Sequence, residues 1–244
     1  MHENLNKSNF MFTNNDTSIG DDLLVPLKRL KEYSEKYEVF FGTPDIISFE
    51  NSDAILFIDY PTTATEILAK AIKANVPLFL LAIESPLVNQ DNNNKRKHGI
   101  FKKIFTWNDF LVSENKEKYK KINYSFDLPR TIECSLDYKS RKLCTMIAGN
   151  KLTSYPGELY SKRIEIIEWF EKNHPNEFDL YGIDWDMLPY YIDGNKRIIN
   201  KMPFIRKIFY KKYTTYKGRV ERKREVLSKY NFSISFENIF GESG

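Results

Sequence analysis

The sequence predicts an α/β protein made of two doubly wound lobes, the second of them incomplete. Three observations carry the prediction. Short apolar runs alternate with amphipathic helical patterns along most of the chain, the pattern of crossover units on a parallel sheet. One run, Val76-Pro77-Leu78-Phe79-Leu80-Leu81-Ala82-Ile83, is apolar without alternation, as a strand covered on both faces should be. A polar, charge-rich stretch over residues 113–141 then separates one set of such units from another.

Taken in order, strands are expected at residues 38–41, 54–58, 76–83 and 103–107. Each runs into a polar terminus: Gly42-Thr43-Pro44-Asp45, Asp59-Tyr60-Pro61, Glu84-Ser85-Pro86 and Asn108-Asp109. Leu23, Leu27, Leu30 and Tyr33 mark one helix between them, and Ile67, Leu68, Ala71 and Ile72 another, at spacings of three and four. Pro77 stands at the head of its run, where the ladder can spare a donor. Residues 89–97, rich in Asn and Lys, read as a mobile surface loop. Residues 113–141 read partly as the connection, which puts the lobes at 1–140 and 141–244. The second lobe should hold strands at 143–148, 178–181 and 232–236 and helices at 158–172 and 219–229.

Composition removes several classes of function. With 41% hydrophobic residues, the 244-residue chain has apolar material for one large domain or two modest ones. No run of about 18 apolar residues could span a bilayer, and the Asn-rich start has no signal pattern. The expected location is therefore the cytoplasm or the cytoplasmic face of the membrane. Cys134 and Cys144 read as reduced thiols packed as small hydrophobes. His2, His98 and His174 are scattered and assemble neither a metal cluster nor a nucleophile triad. The glycine-rich phosphate loops of dinucleotide oxidoreductases and P-loop kinases are absent. Charge is uneven: residues 196–229 hold 13 Lys/Arg against Glu221 and Glu225, so +11 of a net +4 sits there and −7 elsewhere. Such a stretch suits a phosphate, a polyanion or an anionic surface, or is simply a solvated helical face.

Ligands of open parallel sheets bind beyond the carboxyl ends of the strands. Glu84 follows the longest apolar run and Pro86 turns the chain away behind it, a place where a carboxylate can act as general base. Asp59 holds the equivalent position after the preceding strand. Arg163 falls on the apolar stripe of its helix with Leu159, Ile166, Ile167 and Phe170, near a helix start suited to phosphate, and needs an anionic partner there. Asp184-Trp185-Asp186 matches the metal-binding D-x-D triplet of some glycosyltransferases but reads as a surface loop.

The segment Lys229-Tyr230-Asn231-Phe232-Ser233-Ile234-Ser235-Phe236-Glu237-Asn238 resembles the YKF-x-x-x-FEN segment of the family 10 fucosyltransferases. Glu84-Ser85-Pro86 looks like that family's ESP segment, Phe105-Thr106-Trp107-Asn108-Asp109 like the strand that follows it, and Arg163 falls where the family has an arginine on the donor diphosphate. The resemblance implies a GT-B fold of two Rossmann-like lobes, an acceptor lobe followed by a donor lobe. It implies inverting transfer of L-fucose from GDP-fucose to a glycan hydroxyl, commonly O3 of N-acetylglucosamine. Glu84 would be the base, and Arg163, Lys223, Glu237 and Asn238 would lie at the donor. No metal or other cofactor is implied, because cationic side chains offset the charge of the leaving GDP. The family's next motif, Tyr-x-Thr-Glu-Lys, is expected after Gly244, which makes this a C-terminally truncated form whose activity is open.

Two alternatives remain at this level. One is a transferase for another nucleotide sugar. The other is a non-catalytic protein that binds nucleic acid or another polyanion through residues 196–229. The expected partners are the GDP-sugar and the glycan, not nucleic acid, with peripheral membrane association open.

Overall fold

The computed structural model describes residues 7–12, 24–124 and 136–240. The chain divides into two compact units, Met1–Leu128 and Pro129–Glu242, against the boundary after residue 140 expected from the sequence. Both are α/β with parallel sheets.

Unit 1 opens with α1 (Val25–Ser34), whose Pro26 suits a first turn. It continues with β1 (Ile55–Ile58), α2 (Thr65–Lys73), β2 (Leu78–Ala82), β3 (Lys103–Thr106), α3 (Asp109–Glu114) and β4 (Tyr119–Lys121). The four strands are parallel and stand in the order β1-β2-β3-β4. That order never reverses, so this sheet is not doubly wound among its described strands. Right-handed crossovers that all advance one way fall on one face of a sheet. Burial follows: Ile55, Leu78, Leu80, Ala82 and Ile104 pack with Ala71 of α2 and Leu111 of α3, while Leu56, Phe79, Leu81 and Phe105 on the other face are only half-buried. The run at 76–83 is therefore covered mainly on one side, not on both as its composition suggests.

Residues 38–41 form no strand. Glu38 adopts φ of +58° to close a 3-10 turn that extends α1, and Val39 and Phe40 stay exposed. In the opposite direction, β4 lies inside the stretch read as a connection, and α3 runs into its start. Asn108 caps α3 by accepting from the Leu111 N–H, and the mixed Tyr119-Lys120-Lys121 is an edge strand paired only with β3.

Unit 2 comprises β5 (Lys142–Ile147), β6 (Lys151–Leu152), α4 (Tyr160–Asn173), β7 (Phe178–Tyr181), β8 (Tyr190–Tyr191), α5 (Pro203–Ile208), α6 (Lys223–Leu227) and β9 (Tyr230–Ile234). The main sheet has the parallel order β7-β5-β9, so the strand order reverses about β5. α4 buries Tyr160, Arg163, Ile167 and Phe170, a stripe at spacings of three and four. Ile167 and Phe170 meet Cys144, Met146, Phe178 and Leu180, with Phe170 stacked on Phe178 at 4.4 Å between ring centroids. Burial pushes the Cys144 thiol above its ordinary value, the behaviour of an inert core cysteine; Cys134 lies outside the described residues.

The amino edge of this sheet is tied by Asp179. Its carboxylate accepts from Lys142 Nζ at 2.7 Å and Tyr230 Oη at 2.6 Å, so one side chain joins the starts of β5, β7 and β9. Burial works to raise the Asp179 carboxyl, and the Lys142 and Tyr230 hydrogen bonds outweigh it and hold the group below its ordinary value. Burial and the bond to Asp179 push the Tyr230 phenol up.

After β7 the chain passes so close to the end of β5 that residue 182 can carry no side chain. Gly182 adopts φ of +132°, and a Cβ there would stand 1.7 Å from the Ala148 carbonyl oxygen. Gly182→Ala should therefore cost unit 2 at least about 3 kcal/mol. The expected result is an early urea transition followed by the fluorescence of Trp185, whose side chain sits in this core; an unshifted transition would contradict the close approach.

Candidate functional site

At the carboxyl edge of the unit 1 sheet, Asp59 is 6% exposed and stands in the left-handed region at φ of +59°, a conformation uncommon outside glycine. Its Oδ1 accepts from the Ile83 and Glu84 N–H groups, both at 2.9 Å, and from Asn92 Nδ2 at 2.7 Å. Asn92 is itself buried. It donates to the Glu84 carbonyl at 3.0 Å and accepts from the Tyr60 N–H at 2.8 Å. Trp107 Nε1 donates to the Ile83 carbonyl at 2.9 Å. The backbone on both sides of Glu84 is thus held by three side chains from three other segments. The Glu84 side chain is exposed, so unit 1 by itself does not desolvate it as a buried general base would be. Beside it the Ser85 hydroxyl is buried without a hydrogen-bond partner among the described residues. Tyr124 lies in the field of Asp59, and burial followed by that negative charge raises its phenol above the ordinary value.

Residues 89–97 are not a mobile loop. They form two 3-10 turns, Gln90–Asn93 and Lys95–Ile100, that bury Asp91, Asn92 and His98. Asn92 reaches Asp59, Lys97 Nζ donates to Asp91 at 2.7 Å, and His98 places Nδ1 3.0 Å from the Tyr119 hydroxyl. A run of Asn and Lys looks solvated by composition. What orders it, besides the local Lys97–Asp91 pair, are contacts to residues 21 to 33 positions away, which no local pattern shows.

In unit 2, Arg163 is 9% exposed and points inward from the first turn of α4. Its Nη2 donates to the carbonyls of Phe236 at 2.9 Å and Glu237 at 3.3 Å, and to the Asn238 side chain at 3.1 Å. The guanidinium lies over the Tyr160 ring at 4.6 Å. Burial lowers its pKa below the usual arginine range. Among the described residues no carboxylate pairs with it and its Nε and Nη1 make no hydrogen bond. The anionic partner expected from the sequence is replaced, within the chain, by neutral oxygens of residues 236–238. The helix start is also occupied: Glu158 Oε2 accepts from the Tyr160 and Ser161 N–H groups, and Leu159 N–H donates to the Asn238 carbonyl. Those amides are consequently not open to phosphate.

The remaining candidates are placed more simply. Glu237 is exposed and Asn238 half-buried. Lys223 begins α6 on the surface. Asp184-Trp185-Asp186 is a structural turn and not a surface loop. Trp185 is 2% exposed and donates to the Ala148 carbonyl, and Arg206 Nη2 holds Asp184 at 2.9 Å. Part of the basic stretch is likewise neutralised internally, through Lys211 with Glu168, Lys217 with Asp179 and Arg206 with Asp184. A cavity of about 600 Å³ lined by Pro44, Phe49, Ile67 and Lys73 contains none of the candidate residues.

No protein-family model matches the chain, and no curated protein is similar to it. What the chain can do therefore rests on its own residues.

Two outcomes follow from the site's construction. Arg163→Met leaves the 236–238 oxygens without their donor and should lower stability by about 1.5–3 kcal/mol, the range for hydrogen bonds to charged groups; a wild-type unfolding curve would refute the arrangement. His98 is held below its ordinary 6.5, first by burial. The folded state then binds fewer protons than the unfolded one as pH drops, so this contribution is full above 6.5 and is lost as pH falls below it. Thermal unfolding between about pH 7.5 and 5.5 should show that decline, and His98→Gln should flatten it.

Proposed function

We propose that this chain carries the machinery of an inverting nucleotide-sugar glycosyltransferase of the fucosyltransferase type, built on a GT-B-type fold. One observation carries the reading. Arg163 and the segment 236–238, which the sequence marks independently, meet at the carboxyl edge of the sheet whose strand order reverses about β5. Such reversals are where open parallel sheets take their ligands. The unpaired Nε and Nη1 of Arg163 suit a diphosphate, which a guanidinium grips better than an ammonium does.

The reading assigns the base to unit 1. Glu84 takes the proton of the acceptor hydroxyl as its oxygen bonds to the anomeric carbon, and the bond from that carbon to the GDP oxygen breaks on the opposite side, which inverts the centre. The charge that collects on GDP is offset by Arg163 and by the field of Lys223 and its neighbours. Asp59 and Asn92 act on Glu84 through its backbone. The fixed loop keeps the carboxylate from wandering, because a small displacement of a catalytic group costs rate steeply. With the Glu84 side chain exposed, the bound acceptor has to exclude the water around it. GDP-fucose is the proposed donor and O3 of an N-acetylglucosamine unit the proposed acceptor.

The test is transfer from GDP-fucose to N-acetyllactosamine, with GDP binding followed by calorimetry. Glu84→Gln should lower turnover at least about a hundredfold, the usual reach of general base catalysis, and leave GDP affinity nearly intact. Turnover equal to wild type removes Glu84 from the mechanism. GDP that neither binds nor raises the melting temperature removes the donor site. Release of nucleotide from GDP-mannose but not from GDP-fucose would move the assignment to the other donor.

A further inference from the structure

Helix α5 is inverted. Its buried residue is Arg206, 6% exposed, while Phe204 and Phe209 beside it are 77% and 70% exposed. The arginine is the anchor. Its Nε and Nη2 donate to the Leu188 carbonyl at 3.0 and 2.8 Å, its Nη2 reaches Asp184 at 2.9 Å, and its own carbonyl accepts from the Leu188 N–H at 2.7 Å. With α5 fixed from below, Phe204 and Ile208 fall four apart on the side opposite Arg206, while Ile205 and the C-cap Phe209, about 100° round from them, are open to solvent. Met202 just before it and Ile198 in the preceding 3-10 turn, Asn195–Lys201, are exposed as well.

The charge around this patch has one sign. Residues 196–212 contain Lys196, Arg197, Lys201, Arg206, Lys207, Lys211 and Lys212 and no acidic residue. Arg206 and Lys211 are spent on Asp184 and Glu168, and Lys196 lies over the Tyr191 ring. Lys201, Lys207 and Lys212 are exposed and pair with no carboxylate among the described residues. From this geometry we infer that the α5 face docks on an anionic lipid surface, with Phe204, Ile208 and Phe209 entering the acyl boundary and Lys201, Lys207 and Lys212 on the headgroups.

The chemistry selects this occupant over others. An apolar strip rimmed by lysines is the composition of interfacial helices, whose lysine stems lie along the hydrocarbon while the ammonium groups reach the phosphates. Single-stranded nucleic acid also wants cations and can stack on the rings of Phe204 and Phe209, but Ile198, Met202, Ile205 and Ile208, the other four apolar side chains of the patch, offer none. Protein interfaces are depleted in lysine. No helix among the described residues is long and apolar enough to cross a membrane, so the contact is a surface one. It does not depend on the proposed transferase activity.

Vesicle sedimentation tests it with the whole chain. The protein should pellet with phosphatidylcholine vesicles that contain phosphatidylglycerol, and not with pure phosphatidylcholine. Binding should weaken as salt rises from about 0.1 to 0.5 M, where surface charges are screened. Phe204→Ser with Phe209→Ser should reduce it at least about tenfold, given how membrane affinity scales with buried apolar area. Both side chains are exposed, so the melting temperature should not move. Lys201→Ser, Lys207→Ser and Lys212→Ser together should abolish the preference for phosphatidylglycerol. Equal binding to both vesicle types, no binding to either, or wild-type binding by the Phe204/Phe209 variant would overturn the proposal. So would loss of single-stranded RNA binding by that variant, which would give the face to nucleic acid.

Discussion

Where the strands of a parallel sheet end, backbone N–H and C=O groups lose their ladder partners, and a buried group left unpaired costs about as much as a lost hydrogen bond. Both units answer this with a polar side chain that would be costly to bury for any other purpose. In unit 1 it is Asp59, whose carboxylate gathers the amides that leave β2. In unit 2 it is Arg163, whose guanidinium gathers the carbonyls that leave β9. A donor-rich group and an acceptor-rich group solve the same problem because the exposed backbone atoms differ: β2 leaves N–H groups facing Asp59, and β9 leaves oxygens facing Arg163. The segments that carry the candidate chemistry, 83–85 and 236–238, are placed by these two residues.

This explains which parts of the protein were legible in the sequence. Strands β1, β2, β3, β5 and β7 are dense apolar runs, and α1, α2 and α4 carry stripes at three and four, so burial writes them into local composition. Strand β4 and the β6-β8 pair do not, since Tyr119-Lys120-Lys121 and two-residue ladders are held by pairing and not by burial. Doubly wound order was expected twice and is seen once, because nothing in a single run tells on which side of its neighbour it will sit. Glu84 and Arg163 could be picked out from their place at strand and helix termini. Their partners could not: Asn92 reaches Asp59 across 33 positions and Arg163 reaches Asn238 across 75. The only local hint at Asn92 was a cluster of asparagines, which composition assigns to solvent. Helix α5, where no helix is expected from the sequence, shows a related limit of local patterns. A period of 3.6 identifies a stripe but not the side it faces, and here an ion pair to Asp184, not apolar burial, sets that side.

The two edges of the unit 2 sheet differ in a way that bears on where a ligand can bind. At the amino edge Asp179 has both carboxylate oxygens engaged, by Lys142 on one and Tyr230 on the other, with Lys217 at 3.5 Å as a further cation. That cluster closes on itself, and a ligand would have to break it to enter. At the carboxyl edge the accounting is open, since Arg163 satisfies neighbours through Nη2 alone and keeps the positive charge that neutral oxygens cannot cancel. Unit 1 shows a parallel opening at its own carboxyl edge, where the Ser85 hydroxyl is buried without a partner beside Glu84. Residual charge and hydrogen-bonding capacity are thus found at the carboxyl ends of the strands, while at the amino edge the Asp179 carboxylate is fully engaged even though Asn231 Oδ1 beside it has no partner among the described residues. Both ends of these strands therefore carry ties that hold the chain. A substitution at Asp179 should consequently act on folding, and one at Arg163 should do so too, because any replacement removes the Nη2 that holds the 236–238 oxygens.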